Sequence, residues 1–261
     1  MTNQEQIDRF RAARGDRTLA VLEGFHPLKH ALRFGAEPLE VVAARDGELD
    51  GLIARYAPDI AGKIKEVRVV EPGHFDKLAP IPPPTGVIAI AKRPGVMASQ
   101  ILVDIASGPV VLLENPRNLL NIGASIRVAA ATGASGLFTT GPQDPWNPAA
   151  LIAATGLHYA VPVARLDTLP DCGRPLVVID SRGEPLGECL LPDQAVFAFG
   201  AEREGVSQQL MARASHCVSI PMTPVSVSYT HLRAHEPEAE VVCRLVLLKK
   251  MRGGWGGGGG G

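Results

Sequence analysis

The sequence predicts an α/β protein of two units, a small mixed one followed by a larger one with a parallel sheet. Three observations predict this. Short apolar runs alternate with segments that can be helical along most of the 261 residues. The proline run 81–86 (IPPPTG) forbids helix and central strand alike, and the stretch 94–107 (PGVMASQILVDIAS) reads as a linker. Beyond Gly108 the strand candidates are apolar throughout, as expected for a parallel sheet covered on both faces.

Hydrophobic residues make up 46% and charged residues 20% of the chain, a balance that buries a core. The net charge of −1 excludes a wholly basic coat for nucleic acid and leaves room for a local basic patch. Cys172, Cys189, Cys217 and Cys243 form no C-x-x-C pair and have no histidine at metal spacing. They read as thiols in a reducing cytosol, with no metal site. Residues 1–17 read as a polar, flexible lead without a signal or membrane-span pattern, so a cytoplasmic chain with no membrane partner is expected.

The first unit spans 18–93. Strands are expected at Thr18–Leu22, Leu39–Ala43, Val67–Val70 and Val87–Ala91, and helices at His26–Phe34, Leu49–Tyr56 and Phe75–Ala79. Pro27 suits a first helical turn. In the second unit, 108–225, strands are expected at Val110–Leu113, Leu137–Thr139, Tyr159–Val163, Leu176–Ile179, Ala195–Phe199 and Val218–Ile220. The clearest helix is Ile122–Thr132, with Asn121 as its N-cap and Ile122, Ile126 and Ala129 facing the core.

Three clusters could carry chemistry. In ENPRNLLNIGASIRVAAATGA (114–134), Arg127 lies off the apolar face, and Gly123, Ala124, Ala130 and Ala131 around it are too small to shield it. Taken alone it reads more readily as a surface arginine in an ion pair. FGAEREG (199–205) follows an apolar run and ends a strand in glycine, where open α/β sheets bind ligands. There Gly200 would allow close approach, and Glu202 is either a functional carboxylate or an exposed loop acid. SIPM (219–222) places Ile220 and Met222 either in an adenine pocket or in ordinary core. DPWNP (144–148) would stack its tryptophan on a base or plug a loop. His26 and His30 stand at i, i+4, but Lys29 lies between them and no third ligand is evident. A helix face toward RNA or solvent suits them better, with Lys29 and Arg33 as phosphate contacts.

In order and spacing, these clusters resemble the three motifs of the SpoU (TrmH) RNA 2′-O-ribose methyltransferases. Asn121, Gly123 and Arg127 match the N-x-G-x-x-x-R core of the first motif, Gly200 and Glu202 the second, and SIPM the start of the third. LEGFHPLKHALRFGAEPLEVV (22–42) is similar to the family's N-terminal RNA substrate-binding domain, itself like small ribosomal RNA-binding proteins. The resemblance implies a SPOUT-type α/β-knot domain, S-adenosylmethionine as cofactor, ribosomal or transfer RNA as partner, and a homodimer. It implies catalytic roles for Arg127, Asn121 and Glu202, with Asn121 orienting the arginine or the ribose. It also implies cofactor contacts from Gly200, Ile220, Met222 and Tyr229, and RNA contacts from Lys29, Arg33 and Arg117.

The match fails at the end of the third motif. Ser228 stands at the family's serine position, but Tyr229 and Thr230 stand where Leu and Asn are expected. The run VSYTHLRAHE onward is similar to translated sequencing-adaptor DNA, which implies a non-native tail over 226–261. An RNA-binding chain without catalysis is therefore the second reading. A nucleotide-binding oxidoreductase is disfavoured because no G-x-G-x-x-G follows an early strand.

Overall fold

The computed structural model describes residues 2–220, so Met222, Tyr229 and the 226–261 tail lie outside the described residues. The chain opens with a helix, α1 (Asn3–Gly15), not a flexible lead. Thr2 and Glu5 form a reciprocal capping box that satisfies two otherwise orphaned amides. Phe10 and Ala13 are buried against the first sheet.

That sheet contains β1 (Leu19–Glu23), β2 (Pro38–Ala43), β3 (Arg68–Val69) and β4 (Val87–Lys92), in the order β1-β4-β2-β3. β4 is antiparallel to both β1 and β2, and β2 is parallel to β3. Side chains alternate along β4. Ile88 and Ile90 join Phe10 of α1 and Phe75 of α4 (Pro72–Phe75), whereas Val87, Ala89 and Ala91 join the opposite layer. That layer contains α2 (Phe25–Arg33) and α3 (Glu48–Tyr56), so the first unit has three layers.

The stretch 94–107 is not a free linker. It contains α5 (Ala98–Val103), whose Leu102 is fully buried. The buried Arg174 guanidinium donates to the carbonyls of Ile101, Leu102, Asp104, Gly108 and Gln194 and to Ser107 Oγ. A cation at the C-terminal end of a helix meets carbonyls that have no helical partner. This clamp fastens α5 to the second unit.

The second sheet is wholly parallel, with β5 (Val110–Leu113), β6 (Gly136–Thr139), β7 (Val163–Arg165), β8 (Leu176–Pro185), β9 (Val196–Phe199) and β10 (His216–Ser219). Its order is β10-β8-β9-β5-β6-β7. α6 (Leu119–Thr132) and α7 (Pro148–Ala153) cover one face. α5 and α8 (Gln208–Arg213) lie on the other, with Leu102 and Leu210 in its core cluster. The strand expected at Tyr159–Val163 is instead a 3-10 turn at Leu157–Tyr159 followed by β7. Gly156 turns the chain in a left-handed conformation, and the Tyr159 hydroxyl is drawn to the Lys92 carbonyl at 2.9 Å.

The two units share one apolar cluster running from Leu22 and Leu28 to Ile122, Trp146 and Leu151. Arg93 pins the seam. It donates to the Leu19 carbonyl, pairs with Asp144 at 2.9 Å and lies over the Trp146 ring at 5.7 Å. Trp146 is buried, donates to the Val163 carbonyl at 3.1 Å and packs on His158 and Tyr159. Of the two readings of DPWNP, the structure selects the plug, because an indole held this way offers no face to a base. His158 Nε2 lies 2.8 Å from the Pro145 carbonyl, and burial lowers its pKa to about 4.

Candidate functional site

β5 and β9 are neighbours, and the chain leaves them in different directions, from β5 to β6 on one side and from β9 past β8 to β10 on the other. Such a switch point leaves a crevice at the carboxyl ends of the strands. The loop after β5 carries the first sequence cluster and the loop after β9 carries the second. Three contacts tie them. Glu114 accepts from the Ser207 amide at 2.7 Å, Arg117 pairs with Glu204 at 2.6 Å, and Asn121 Nδ2 donates to Glu202 Oε1. Sequence reasoning singled out Asn121 and Glu202 but missed Glu114, Glu204 and Ser207. For Glu114 the available signal was an acid standing directly at a strand's carboxyl end.

Asn121 does not cap α6. Asn118 does, accepting from the Leu120 amide at 2.9 Å, which moves the helix start one turn earlier and places Asn121 inside it. Asn121 is fully buried, and its Oδ1 has no partner among the described residues. A buried carbonyl left this way costs about 1–3 kcal/mol. At this edge it fits a ligand that brings donors, as the hydroxyls and ammonium of S-adenosylmethionine or a ribose hydroxyl would. Residues 108–229 match the SpoU rRNA Methylase family.

The match takes in the whole of the second sheet.

The chain is 26% identical over 235 residues to the 23S rRNA (adenosine(1067)-2'-O)-methyltransferase of Streptomyces laurentii, covering 86% of each chain. Its fold is that of the SpoU methyltransferase AviRb from Streptomyces viridochromogenes, solved with AdoMet. The TM-score is 0.72 at 20% identity, over 95% of this chain and 98% of that one. An AdoMet-bound rRNA methyltransferase from Sinorhizobium meliloti superposes with a TM-score of 0.70 at 19% identity, over 95% and 93% of the two chains.

The other expected residues fall as follows. Arg127 is exposed and makes no hydrogen bond or ion pair with any described residue. It stands six residues past Asn121, about 9 Å along the helix axis, so Asn121 does not orient it. The ion-pair reading of Arg127 and the Asn121–Arg127 link are both replaced by an Asn121–Glu202 pair and a free arginine. Gly200 does not open its Cα to a ligand. A Cβ there would strike the backbone of Gly205 and Val206, so the glycine lets the 201–205 loop fold back on its own strand. Ile220 follows β10 and packs half-buried on the core, where it can still wall a cofactor cleft. Arg117 is held by Glu204, but both side chains are more than half exposed, and such a pair exchanges readily for a phosphate. Arg33 is engaged differently. Its guanidinium donates twice to Asp59 at 2.6 Å and holds that carboxyl down at about 2. Lys29 and His30 flank it, and both have lowered pKa values, from burial first and neighbouring cations second. Among the described residues no group of His, Cys, Asp and Glu could hold a metal, and no helix is long and apolar enough to cross a membrane.

Proposed function

We propose that this chain transfers the methyl group of S-adenosylmethionine to a ribose 2′-hydroxyl of ribosomal RNA. The observation that carries this is the Asn121–Glu202 pair, which joins the two motif segments at the switch point and leaves a buried acceptor without a partner among the described residues. The names of the relatives supply the chemistry, since the Streptomyces laurentii protein is a 2′-O-methyltransferase of 23S rRNA.

When bound, S-adenosylmethionine supplies an activated methyl on sulfonium. The chain's own residues do the rest. Glu202 holds Asn121 so that its free carbonyl can accept from a ribose or cofactor hydroxyl. Ile220 contributes an apolar wall, and Met222, outside the described residues, is assigned to the cofactor by the resemblance alone. Tyr229 enters the same set by the resemblance alone and departs from the family's motif there. Positioning of this kind contributes up to roughly 7–11 kcal/mol in favourable cases. Arg127 grips the phosphate beside the reacting ribose and stabilises alkoxide charge as the hydroxyl proton passes to solvent water. A base role for it is disfavoured, because a guanidinium with a pKa above ~12 does not readily give up its proton. Arg117 contacts the RNA at the mouth of the cleft, and the first unit serves as the RNA-binding domain. The chain acts as a homodimer, because the gap between Arg127 and the Asn121–Glu202 pair suits a second copy that brings the two together.

The test is methylation of deproteinised 23S rRNA with isotope-labelled S-adenosylmethionine, followed by mass mapping of the modified ribose. Label on a 2′-oxygen supports the reading. RNA binding without any transfer would leave the non-catalytic alternative, which the Tyr229–Thr230 departure favours.

A further inference from the structure

This inference rests on the RNA reading above and concerns how the strand is held. α2 buries Phe25, Pro27, Leu28, Ala31 and Leu32 and turns His26, Lys29, His30 and Arg33 to its other side, at i, i+3, i+4 and i+7. No acidic residue lies in that helix. α2 and α6 both rest on one platform, made by α7 and the 157–159 turn. Two glycines bring them down onto it. A Cβ on Gly156 would strike the Pro27 backbone of α2, and one on Gly123 of α6 would strike Ala150 and Ala153 of α7. One turn beyond Gly123, Arg127 comes close enough to His30 to disfavour its protonation, as do Lys29, Arg33 and His26. The carboxylate that acts on Lys29 is Asp59, which Arg33 already holds in a two-pronged pair. Lys29 and Arg127 thus gather like charge from both units around His30, whose protonation they oppose, with no carboxylate of their own.

We propose that Lys29, His30 and Arg127 form one cationic strip, built by both units of a single chain, that grips phosphates of one RNA strand. A polyanion is the occupant that fits, because it relieves the mutual repulsion of these groups, whereas an apolar or cationic partner would not. Arg33 is a framework residue in this arrangement, locked to Asp59 and not a phosphate contact.

The experiment measures binding of polyuridine, a backbone poor in sequence information, and of total ribosomal RNA across a salt series. Lys29→Ala and His30→Ala should weaken both RNAs alike and make the log affinity against log salt slope shallower by about 0.7 for each phosphate that the variant no longer grips. Arg33→Ala should leave that slope unchanged. Lys29→Gln, which keeps the stem length, guards against a folding artefact, and its urea midpoint should match the wild type. In NMR titration the His30 pKa should rise when polyuridine is added. Unchanged affinity and slope in the Lys29 and His30 variants, or an equal loss in Arg33→Ala, would overturn the strip. A wild type that methylates rRNA but ignores polyuridine would sink the strip and spare the transferase reading. One that binds both RNAs through these residues without methyl transfer would do the reverse.

Discussion

The junction held by Arg174 and the helix face that carries Arg127 use the same side chain in opposite ways. Arg174 is buried and donates to five backbone carbonyls and a serine hydroxyl, so its fork is used up inside the protein. Arg127 is exposed, ringed by glycine and alanine, and bonded to no described residue. A guanidinium whose donors are satisfied internally organises the fold. One left exposed and unbonded is available to a ligand. Burial and bonding thus separate a structural arginine from the one proposed to act on RNA, and the separation can be broken in several ways.

The largest expected effect is on Arg174. Arg174→Ala strands a set of buried carbonyls at the end of α5 and should cost about 3–5 kcal/mol, read as a lowered urea midpoint. A loss under about 1 kcal/mol would mean the clamp is not what holds 94–107 in place. Next is the seam between the units. His158 is buried neutral, with its pKa lowered from 6.5 to about 4. The unfolded chain therefore binds the proton more readily across that window. Its contribution is fully present above pH 6.5 and is lost as pH falls toward 4, by up to about 3 kcal/mol. His158→Gln should flatten this part of the pH–stability curve, and parallel curves for the two proteins would show that the ring does not govern it. Arg127→Ala should reduce methyl transfer at least 100-fold, as loss of a donor to developing charge does, while stability moves by no more than about 0.5 kcal/mol. A fall in urea midpoint matching the activity loss would erase the distinction from Arg174. The smallest effect is at Gly123, whose Cβ would meet Ala150 and Ala153. Gly123→Ala should cost about 1–3 kcal/mol through overpacking and shift α6 on α7, measurable by thermal unfolding.

Much of this was legible in the chain. The apolar runs at 110–113 and 196–199 are strands, and Ile122, Ile126 and Ala129 face the core. The first helix could also have been read. Thr2 and Glu5 have capping-box spacing, and Phe10 and Ala13 sit three apart, but the polar composition around them masked the signal. The strand expected at 159–163 misread an apolar stretch whose hydrophobicity serves the seam and not a sheet. The site was half legible. Its two motif loops stood out, yet the partner of Asn121 could not be known before the sheet order was.

The sequence by itself determined the α/β alternation, the parallel character of the second sheet and the residue types at the crevice, because periodicity and turn chemistry are local properties. Only the tertiary structure decided that Asn121 bonds Glu202 and not Arg127, that Gly200 serves its own loop, and that Trp146 is a plug. Those outcomes depend on which strands become neighbours, and that pairing joins residues some 80 positions apart, such as 121 and 202, that no local pattern connects.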